Sequence, residues 1–204
     1  MTTEIKKQLT NLLDDSLSAI KKIDIDSVIM LSELIVTKTN IGNSIFIYGN
    51  GGSASTASHF VNDTQMAFTY LQNKDRTLTR KKVNIYSLAD NPGILTGIAN
   101  DFSFNKVLTY QVMTLLKPGD ILIIISASGN SLNLLDAAGY CRENSIYTVS
   151  ITGFNGGKLA EMSDLNINIQ TKMGAYGAAE DSHIVFNHLL ASAIRFKLYG
   201  ANPE

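Results

Sequence analysis

The chain has 204 residues, of which 45% are hydrophobic and 17% charged, and its formal net charge at pH 7 is -1. This composition excludes a disordered chain and predicts one domain with a full hydrophobic core. Because there is no basic excess and no apolar run near the ~20 residues that a membrane span needs, we expect neither a nucleic-acid nor a membrane partner. An anionic ligand would therefore depend on local donors.

The single cysteine, Cys141, excludes an internal disulfide and is typical of a protein of the reducing cytoplasm. The N-terminus, which begins Met1-Thr2-Thr3-Glu4, has no apolar signal core. We therefore expect a cytoplasmic protein in which Cys141 is a packing thiol within a helix and not a nucleophile.

Two helices are predicted at the start of the chain, at Thr3–Lys21 and Asp26–Thr39. The first has apolar residues at helical spacing: Ile5, Leu9, Leu12, Leu13, Leu17 and Ile20. This face would pack either on the chain's own sheet or against another subunit, and the pattern is compatible with both.

Strands and helices alternate along the rest of the chain. The predicted strands are Ser44–Tyr48, Val83–Leu88, Asp120–Ile125, Tyr147–Ile151 and Leu165–Ile169. The predicted helices are Ser53–Phe68, Gly93–Asn100, Phe104–Leu116, Leu132–Asn144, Lys158–Met162 and Ala178–Leu198. This order predicts an α/β fold with a mostly parallel five-stranded sheet and helices on both faces. We interpret residues 1–204 as one domain, with a helical segment at 1–40 and an α/β core at 41–204.

The stretch Tyr70–Lys82 interrupts this alternation. It has no apolar periodicity, and it contains five basic residues: Lys74, Arg76, Arg80, Lys81 and Lys82. We predict an exposed loop, with a basic lid over an anionic ligand as the second interpretation.

Two turns rich in glycine and serine follow apolar strands. The first is Gly49–Ser53, after Ser44–Tyr48, and the second is Ser126–Ser131, after Ile121–Ile125. Glycine lets the backbone approach a ligand, serine hydroxyls add donors, and the following helix start favours an anion. Since ligands of parallel sheets bind beyond the carboxyl ends of the strands, the two turns predict a site for a phosphorylated small molecule.

The three histidines lie on two predicted helices. His59 and Asp63 are four residues apart and share a helix face, so they could bind a metal, form an acid–base pair or simply hydrogen-bond to each other. His183 and His188 are five apart and point in different directions, so one chain is not expected to place both on one ion.

Several motifs then occur in a characteristic order: Gly49-Asn50-Gly51-Gly52-Ser53, His59-Phe60, Ser87-Leu88-Ala89-Asp90-Asn91, Ala99-Asn100-Asp101, Ser126-Ala127-Ser128-Gly129-Asn130-Ser131 and Glu180-Asp181-Ser182-His183. Over nearly the whole chain they resemble the sugar isomerase (SIS) domain family, and more narrowly the phosphoheptose isomerases. The resemblance implies an aldose–ketose isomerase that converts sedoheptulose 7-phosphate to D-glycero-D-manno-heptose 7-phosphate. It also implies bound zinc and a homotetramer with active sites between subunits.

The resemblance also assigns site residues. The catalytic pair would be Asp63 and His188. The zinc ligands would be His59, Asp63, Glu180 and His188. The residues that bind the sugar and its phosphate would be Asn50, Gly51, Gly52, Ser53, Asn91, Ser126, Ser128, Ser131 and Glu180. For Asn91, capping of a helix is the alternative role.

Two positions depart from the best-known members of the family. Asp63 stands where they have glutamate, which shortens the side chain by ~1.5 Å, and Glu180 stands where they have glutamine. These differences concern the substrate and not the fold, so another ketose phosphate is an alternative. The motifs are also compatible with a non-catalytic SIS protein of the replication-initiator-binding type and with a sugar-phosphate sensor. The initiator-binding members lack the catalytic carboxylate and final histidine, whereas this chain has both Asp63 and His188.

Overall fold

A computed structural model of the chain describes residues 1–74 and 84–199. Its strands are β1 Ser44–Gly49, β2 Asn84–Ser87, β3 Ile121–Ser126, β4 Tyr147–Thr152 and β5 Leu165–Asn168. Its helices are α1 Thr2–Ile20, α2 Ile25–Asn40, α3 Gly52–Lys74, α4 Pro92–Asp101, α5 Val107–Leu115, α6 Leu132–Glu143, α7 Gly157–Met162 and α8 Tyr176–Tyr199, with a 3-10 turn at Phe104–Lys106.

The strands form one sheet in the order β2-β1-β3-β4-β5, and every neighbouring pair is parallel. The predicted five-stranded parallel sheet is therefore confirmed. The chain passes from β1 to β2 on one side, while β3 lies on the other side of β1. This reversal makes the crevice beyond β1 and β3 the place where parallel sheets bind ligands.

Alternation along the strands divides the core between the two faces of the sheet. Ile45, Ile47 and Ile123 face a cluster that includes side chains of α2, α3 and α8. Phe46 and Leu122 face a second cluster, which includes side chains of α5 and α6. The strands are thus covered on both faces, which explains their nearly continuous apolar sequences.

Cys141 belongs to the second cluster and is fully buried. Burial raises the pKa of its thiol to about 11. A thiol with so high a pKa is almost entirely protonated at neutral pH, which agrees with the predicted packing role.

Two predicted elements differ from the structure by more than two residues. The segment predicted as one helix, Phe104–Leu116, begins after the extended Ser103 as predicted, but its first turn, Phe104–Lys106, is 3-10 and α5 follows from Val107. Helix α3 continues to Lys74, so the first five residues of the predicted loop Tyr70–Lys82 are helical, in a stretch without glycine or proline. The rest of that loop, and Val83 of the predicted second strand, lie outside the described residues.

Helix α1 packs mainly on α8, at the edge of the fold. Five of its large apolar side chains remain exposed, with exposed fractions between 47% and 63%: Ile5, Leu9, Leu12, Leu13 and Leu17. In the part of the chain that the structure covers, no helix is both long enough and apolar enough to cross a bilayer.

Candidate active site

The first glycine–serine turn connects β1 to α3. Gly51 has a φ of +54°, in the left-handed region that favours glycine. The backbone N–H of Ser53 donates to the carbonyl of Asn50 at 3.0 Å and closes the turn. Helix α3 therefore begins immediately beyond the strand end, with its first-turn N–H groups at the edge of the sheet.

The second turn connects β3 to α6 and is held by its own serines. The Ser126 hydroxyl accepts a hydrogen bond from the Gly129 N–H at 3.0 Å, and the Ser128 hydroxyl accepts one from the Asn130 N–H at 3.3 Å. Gly129 has a φ of +62°, and a Cβ there would overlap the carbonyl of Gly156 in the loop after β4. Glycine is thus required by both conformation and space.

A cavity of about 240 Å³ lies between the two turns. Its lining includes every residue predicted to bind the sugar or its phosphate except Asn91: Asn50, Gly51, Gly52, Ser53, Ser126, Ser128, Ser131 and Glu180. The structure adds four residues that were not predicted to bind a ligand: Ile125, Ala127, Leu134 and Tyr176. Tyr176 is the first residue of α8, so three helices, α3, α6 and α8, begin at or beside this cavity.

Asn91 lies elsewhere. It is the N-cap of α4, where its side-chain oxygen accepts a hydrogen bond from the backbone N–H of Ile94 at 3.1 Å. This is the helix-capping role that the sequence left open as an alternative. The predicted contact of Asn91 with the substrate remains a prediction.

A second group of polar side chains lies further along α3 and α8. The Nε2 atom of His59 is 3.1 Å from Oδ2 of Asp63 and 3.0 Å from Nε2 of His188. The Nε2 atom of His188 is 3.8 Å from the same Asp63 oxygen. The two imidazoles meet edge to face, and both are partly exposed, whereas Asp63 is more buried. One atom from each residue can therefore converge on a single small species.

The parallel direction of α3 and α8 explains why these helices contribute both to the cavity and to the His59–Asp63–His188 group. Gly52 at the start of α3 lies beside Glu180 near the start of α8, since a Cβ on Gly52 would be 2.5 Å from the carboxylate oxygens of Glu180. Seven residues beyond Gly52 and eight beyond Glu180, His59 meets His188. The helices thus run side by side in the same direction, away from the cavity.

Glu180 and His183 lie outside the His59–Asp63–His188 group. The Glu180 carboxylate is in the wall of the cavity, so its predicted role as a fourth metal ligand remains a prediction. His183 is 2% exposed, and neither ring nitrogen has a well-formed hydrogen bond to the residues that the structure describes. Burial lowers the pKa of His183 to about 4, an effect that the nearby Thr152 backbone offsets only in part. His183 is therefore neutral at physiological pH.

Two buried asparagines were not found by sequence reasoning. Asn133 exchanges two hydrogen bonds with Asn50, and Asn187 donates to Asp63. Their partners lie 83 and 124 residues away in the chain. No local spacing could have revealed either contact.

Comparisons with known proteins agree with this architecture. The SIS domain family matches residues 9–153. A probable phosphoheptose isomerase of Thermoplasma acidophilum is 30% identical over 182 residues, which cover 89% of this chain and 94% of that protein. The phosphoheptose isomerase of Aliarcobacter butzleri is 34% identical over 163 residues, which cover 80% and 81% of the two chains.

Among solved structures, a phosphoheptose isomerase from Neisseria gonorrhoeae superposes with a TM-score of 0.78 at 27% identity. The superposition covers 93% of this chain and 98% of that one. Fold and sequence similarity both extend over most of the chain and of the relatives. The chain therefore belongs to the SIS domain family, in the group of the phosphoheptose isomerases.

Proposed function

We propose that the protein is an aldose–ketose isomerase that converts sedoheptulose 7-phosphate to D-glycero-D-manno-heptose 7-phosphate. One observation carries the proposal. A cavity lined by serines lies at the start of the parallel helices α3 and α8, and the same two helices carry a histidine–aspartate–histidine group further along. The relatives named phosphoheptose isomerase support this choice of substrate.

The cavity suits the phosphate end of the substrate. Four serines line it: Ser53, Ser126, Ser128 and Ser131. Ser131 is the N-cap of α6 but makes no side-chain capping bond, so its hydroxyl is not committed to the helix. Hydroxyls and helix N-termini both donate hydrogen bonds to phosphate oxygens.

The distance to the second group suits a long sugar phosphate. Ser53 and His59 are six residues apart on α3, which corresponds to roughly 9 Å along the helix axis. In an extended seven-carbon sugar phosphate, the carbonyl end lies roughly 8–10 Å from the phosphorus, given C–C bonds of ~1.5 Å. The axial distance from the cavity to His59 is thus comparable with the length of the ligand, which supports the proposal that a ligand anchored in the cavity presents its carbonyl to the group His59, Asp63 and His188.

Asp63 and His188 are proposed to move the protons. Isomerisation transfers hydrogen between C1 and C2 through an enediol, so a base must take a proton from the carbon beside the carbonyl while an acid protonates its oxygen. The Asp63 carboxylate and the His188 imidazole provide one group of each kind. His59 contacts the Asp63 carboxylate and helps to keep it directed towards His188.

The three side chains also fit a zinc ion. With Zn–N distances of ~2.0–2.1 Å, neighbouring ligand atoms of a tetrahedral ion lie about 3.3 Å apart, close to the 3.0, 3.1 and 3.8 Å observed here. Two imidazoles and one carboxylate are also a donor set typical of catalytic zinc. When bound, zinc supplies a positive charge that polarises the substrate carbonyl. Glu180 is proposed as a further ligand, which requires its side chain to turn away from Gly52.

We further propose a homotetramer of the cytoplasm, with active sites between subunits. The five exposed apolar side chains of α1 support an interface, because a contiguous apolar helix face is costly to leave in water. The buried, protonated Cys141 is compatible with a reducing compartment. Light scattering of the purified protein measures the oligomeric state directly.

The activity is tested by NMR observation of sedoheptulose 7-phosphate incubated with purified protein and zinc. We expect signals of the heptose 7-phosphate to appear and to reach equilibrium. The control is the same protein with His188→Ala. Failure to convert sedoheptulose 7-phosphate or any member of a panel of ketose phosphates would refute the isomerase function.

A further inference from the structure

Asn187 is a buried polar residue in the middle of α8, directly before His188. Its side chain is 1% exposed, and its Nδ2 atom donates to Oδ2 of Asp63 on α3 at 3.3 Å. Its Oδ1 atom has no hydrogen-bond partner among the described parts of the chain. Burying an amide with an unpaired oxygen destabilises a fold, so the contact with Asp63 calls for a functional explanation.

The Asp63 oxygen that Asn187 contacts is the one at the centre of the candidate site. It also lies 3.1 Å from Nε2 of His59 and 3.8 Å from Nε2 of His188. The other oxygen, Oδ1, accepts a hydrogen bond from Nδ2 of Asn62 at 3.3 Å. Each carboxylate oxygen thus has its own amide donor, one inside the α3–α8 interface and one at the surface.

This arrangement limits the rotation of the carboxylate. The terminal torsion of an aspartate is broad, so the side chain alone does not fix the plane of the carboxylate or direct one of its two equivalent oxygens at the histidines. A buried donor on Oδ2 limits that rotation, because turning the carboxylate away would leave the Asn187 amide without a partner. Asn62, at the surface, can exchange its bond for water and constrains the carboxylate less.

We propose that Asn187 is a positioning residue, which holds the Asp63 carboxylate with Oδ2 between His59 and His188. The proposal deepens the proposed function, since it concerns the same site. A polar partner of a ligating or catalytic carboxylate orients it, and its loss typically weakens metal binding or activity roughly 10- to 100-fold.

The test compares Asn187→Leu with Ser182→Ala. Leucine has a similar volume and no donor. Ser182 lies on the same helix and is fully buried, and its hydroxyl donates to the backbone carbonyl of Ala179, which makes its alanine variant a matched control. We expect calorimetric titration with zinc alone to show a roughly 10- to 100-fold weaker affinity for Asn187→Leu and no change for Ser182→Ala. We also expect kcat to fall while KM stays constant, because the phosphate cavity is untouched.

A second readout uses the metal-free protein. The ¹⁵N resonances of the His59 and His188 rings should shift in Asn187→Leu relative to wild type, and stay in place in Ser182→Ala. If the leucine variant does not fold, Asn187→Ala removes the same donor without adding apolar bulk and should give the same shifts.

The outcomes separate this inference from the proposed function. A wild-type protein with no isomerase activity and no zinc affinity would refute the proposed function. In that case the ¹⁵N resonances of the His59 and His188 rings, measured without metal, would still decide the role of Asn187. Unchanged resonances together with unchanged zinc affinity or kcat, in a folded Asn187 variant, would show that the amide only fills space.

Discussion

The side-chain amides of Asn50 and Asn133 hydrogen-bond to each other in both directions, each with an N–O distance of 2.9 Å. Asn50 lies in the turn after β1, and Asn133, which is 2% exposed, lies in the first turn of α6. The pair therefore links the turn after β1 to the start of α6, which form two sides of the cavity. Each amide uses one N–H and one oxygen lone pair in this pair of bonds. Asn50 therefore retains one N–H and one lone pair with which it can bind a ligand.

The asparagine pair should stabilise the fold as a unit. We predict that Asn50→Ala and Asn133→Leu each lower the free energy of unfolding, and that the double variant loses less than the sum of the two. The expected coupling is about 1–2 kcal/mol, since each single variant leaves one partner unsatisfied. Urea denaturation of the four proteins measures it. Additive losses would mean that the two amides act independently.

His188→Ala should abolish turnover without unfolding the protein. The His188 side chain is 56% exposed, so its removal should change the free energy of unfolding by about 0.5 kcal/mol or less. Loss of an acid–base group should slow kcat by roughly 10²- to 10⁴-fold. Lys197→Ala is the control, because Lys197 lies near the far end of α8 and pairs with Glu33. Wild-type kcat in the His188 variant would exclude it from catalysis.

Ser128→Ala should mainly weaken binding of the phosphate ester. Ser128 Oγ accepts a hydrogen bond from the Asn130 N–H, which leaves its own proton available to an anion in the cavity. Loss of one bond to a charged group corresponds to about a tenfold rise in KM, with kcat little changed. Ser163→Ala is the control, since that hydroxyl bonds to the Leu159 carbonyl away from the cavity. A KM equal to that of wild type would argue against a phosphate contact.

Two glycine substitutions should lower stability by very different amounts. The atoms nearest to a Cβ on Gly52 would be those of the Glu180 carboxylate, at 2.5 Å, and that flexible side chain can move aside. A Cβ on Gly129 would overlap the backbone of Gly156, and the φ of +62° is strained for alanine. We predict a loss of roughly 3 kcal/mol or more for Gly129→Ala and about 1 kcal/mol or less for Gly52→Ala. Thermal unfolding distinguishes the two, and equal melting temperatures would contradict this packing.

His183 should make the protein less stable in acid. Burial keeps its pKa in the folded state at about 4, below the 6.5 of an exposed histidine. As the pH falls from 6.5 towards 4, the unfolded chain binds a proton that the folded chain does not, so stability is lost across this window. The loss is of order 3 kcal/mol for one such group.

Comparison of wild type with His183→Leu isolates this effect. The carboxylates titrate in both proteins, whereas only wild type contains the buried imidazole. We expect the difference in unfolding free energy between the two proteins to change between pH 6.5 and pH 4 and to be constant above that range. A difference that does not depend on pH would mean that His183 gains its proton without unfolding.

The sequence predicted what depends on local pattern. Alternation of apolar strands and amphipathic helices predicted the parallel sheet, and the two glycine–serine turns predicted the walls of the cavity. The spacing of His59 and Asp63 predicted a pair on one helix face, while His188 joined them only through the resemblance to a family. The partners of Asn133 and Asn187 were not predictable, because contacts between distant segments depend on how helices pack and not on periodicity.

The cavity is lined by no lysine or arginine among the described residues, yet α3, α6 and α8 all start at or beside it. An anion held by these residues would therefore be held by aligned peptide dipoles and hydroxyls, and not by a cationic side chain. Such donors carry no charge that the modification of a lysine could remove. Peptide and hydroxyl donors also do not titrate near neutral pH, so the pH dependence of phosphate-ester binding would come mainly from the ester itself, whose second pKa is about 6.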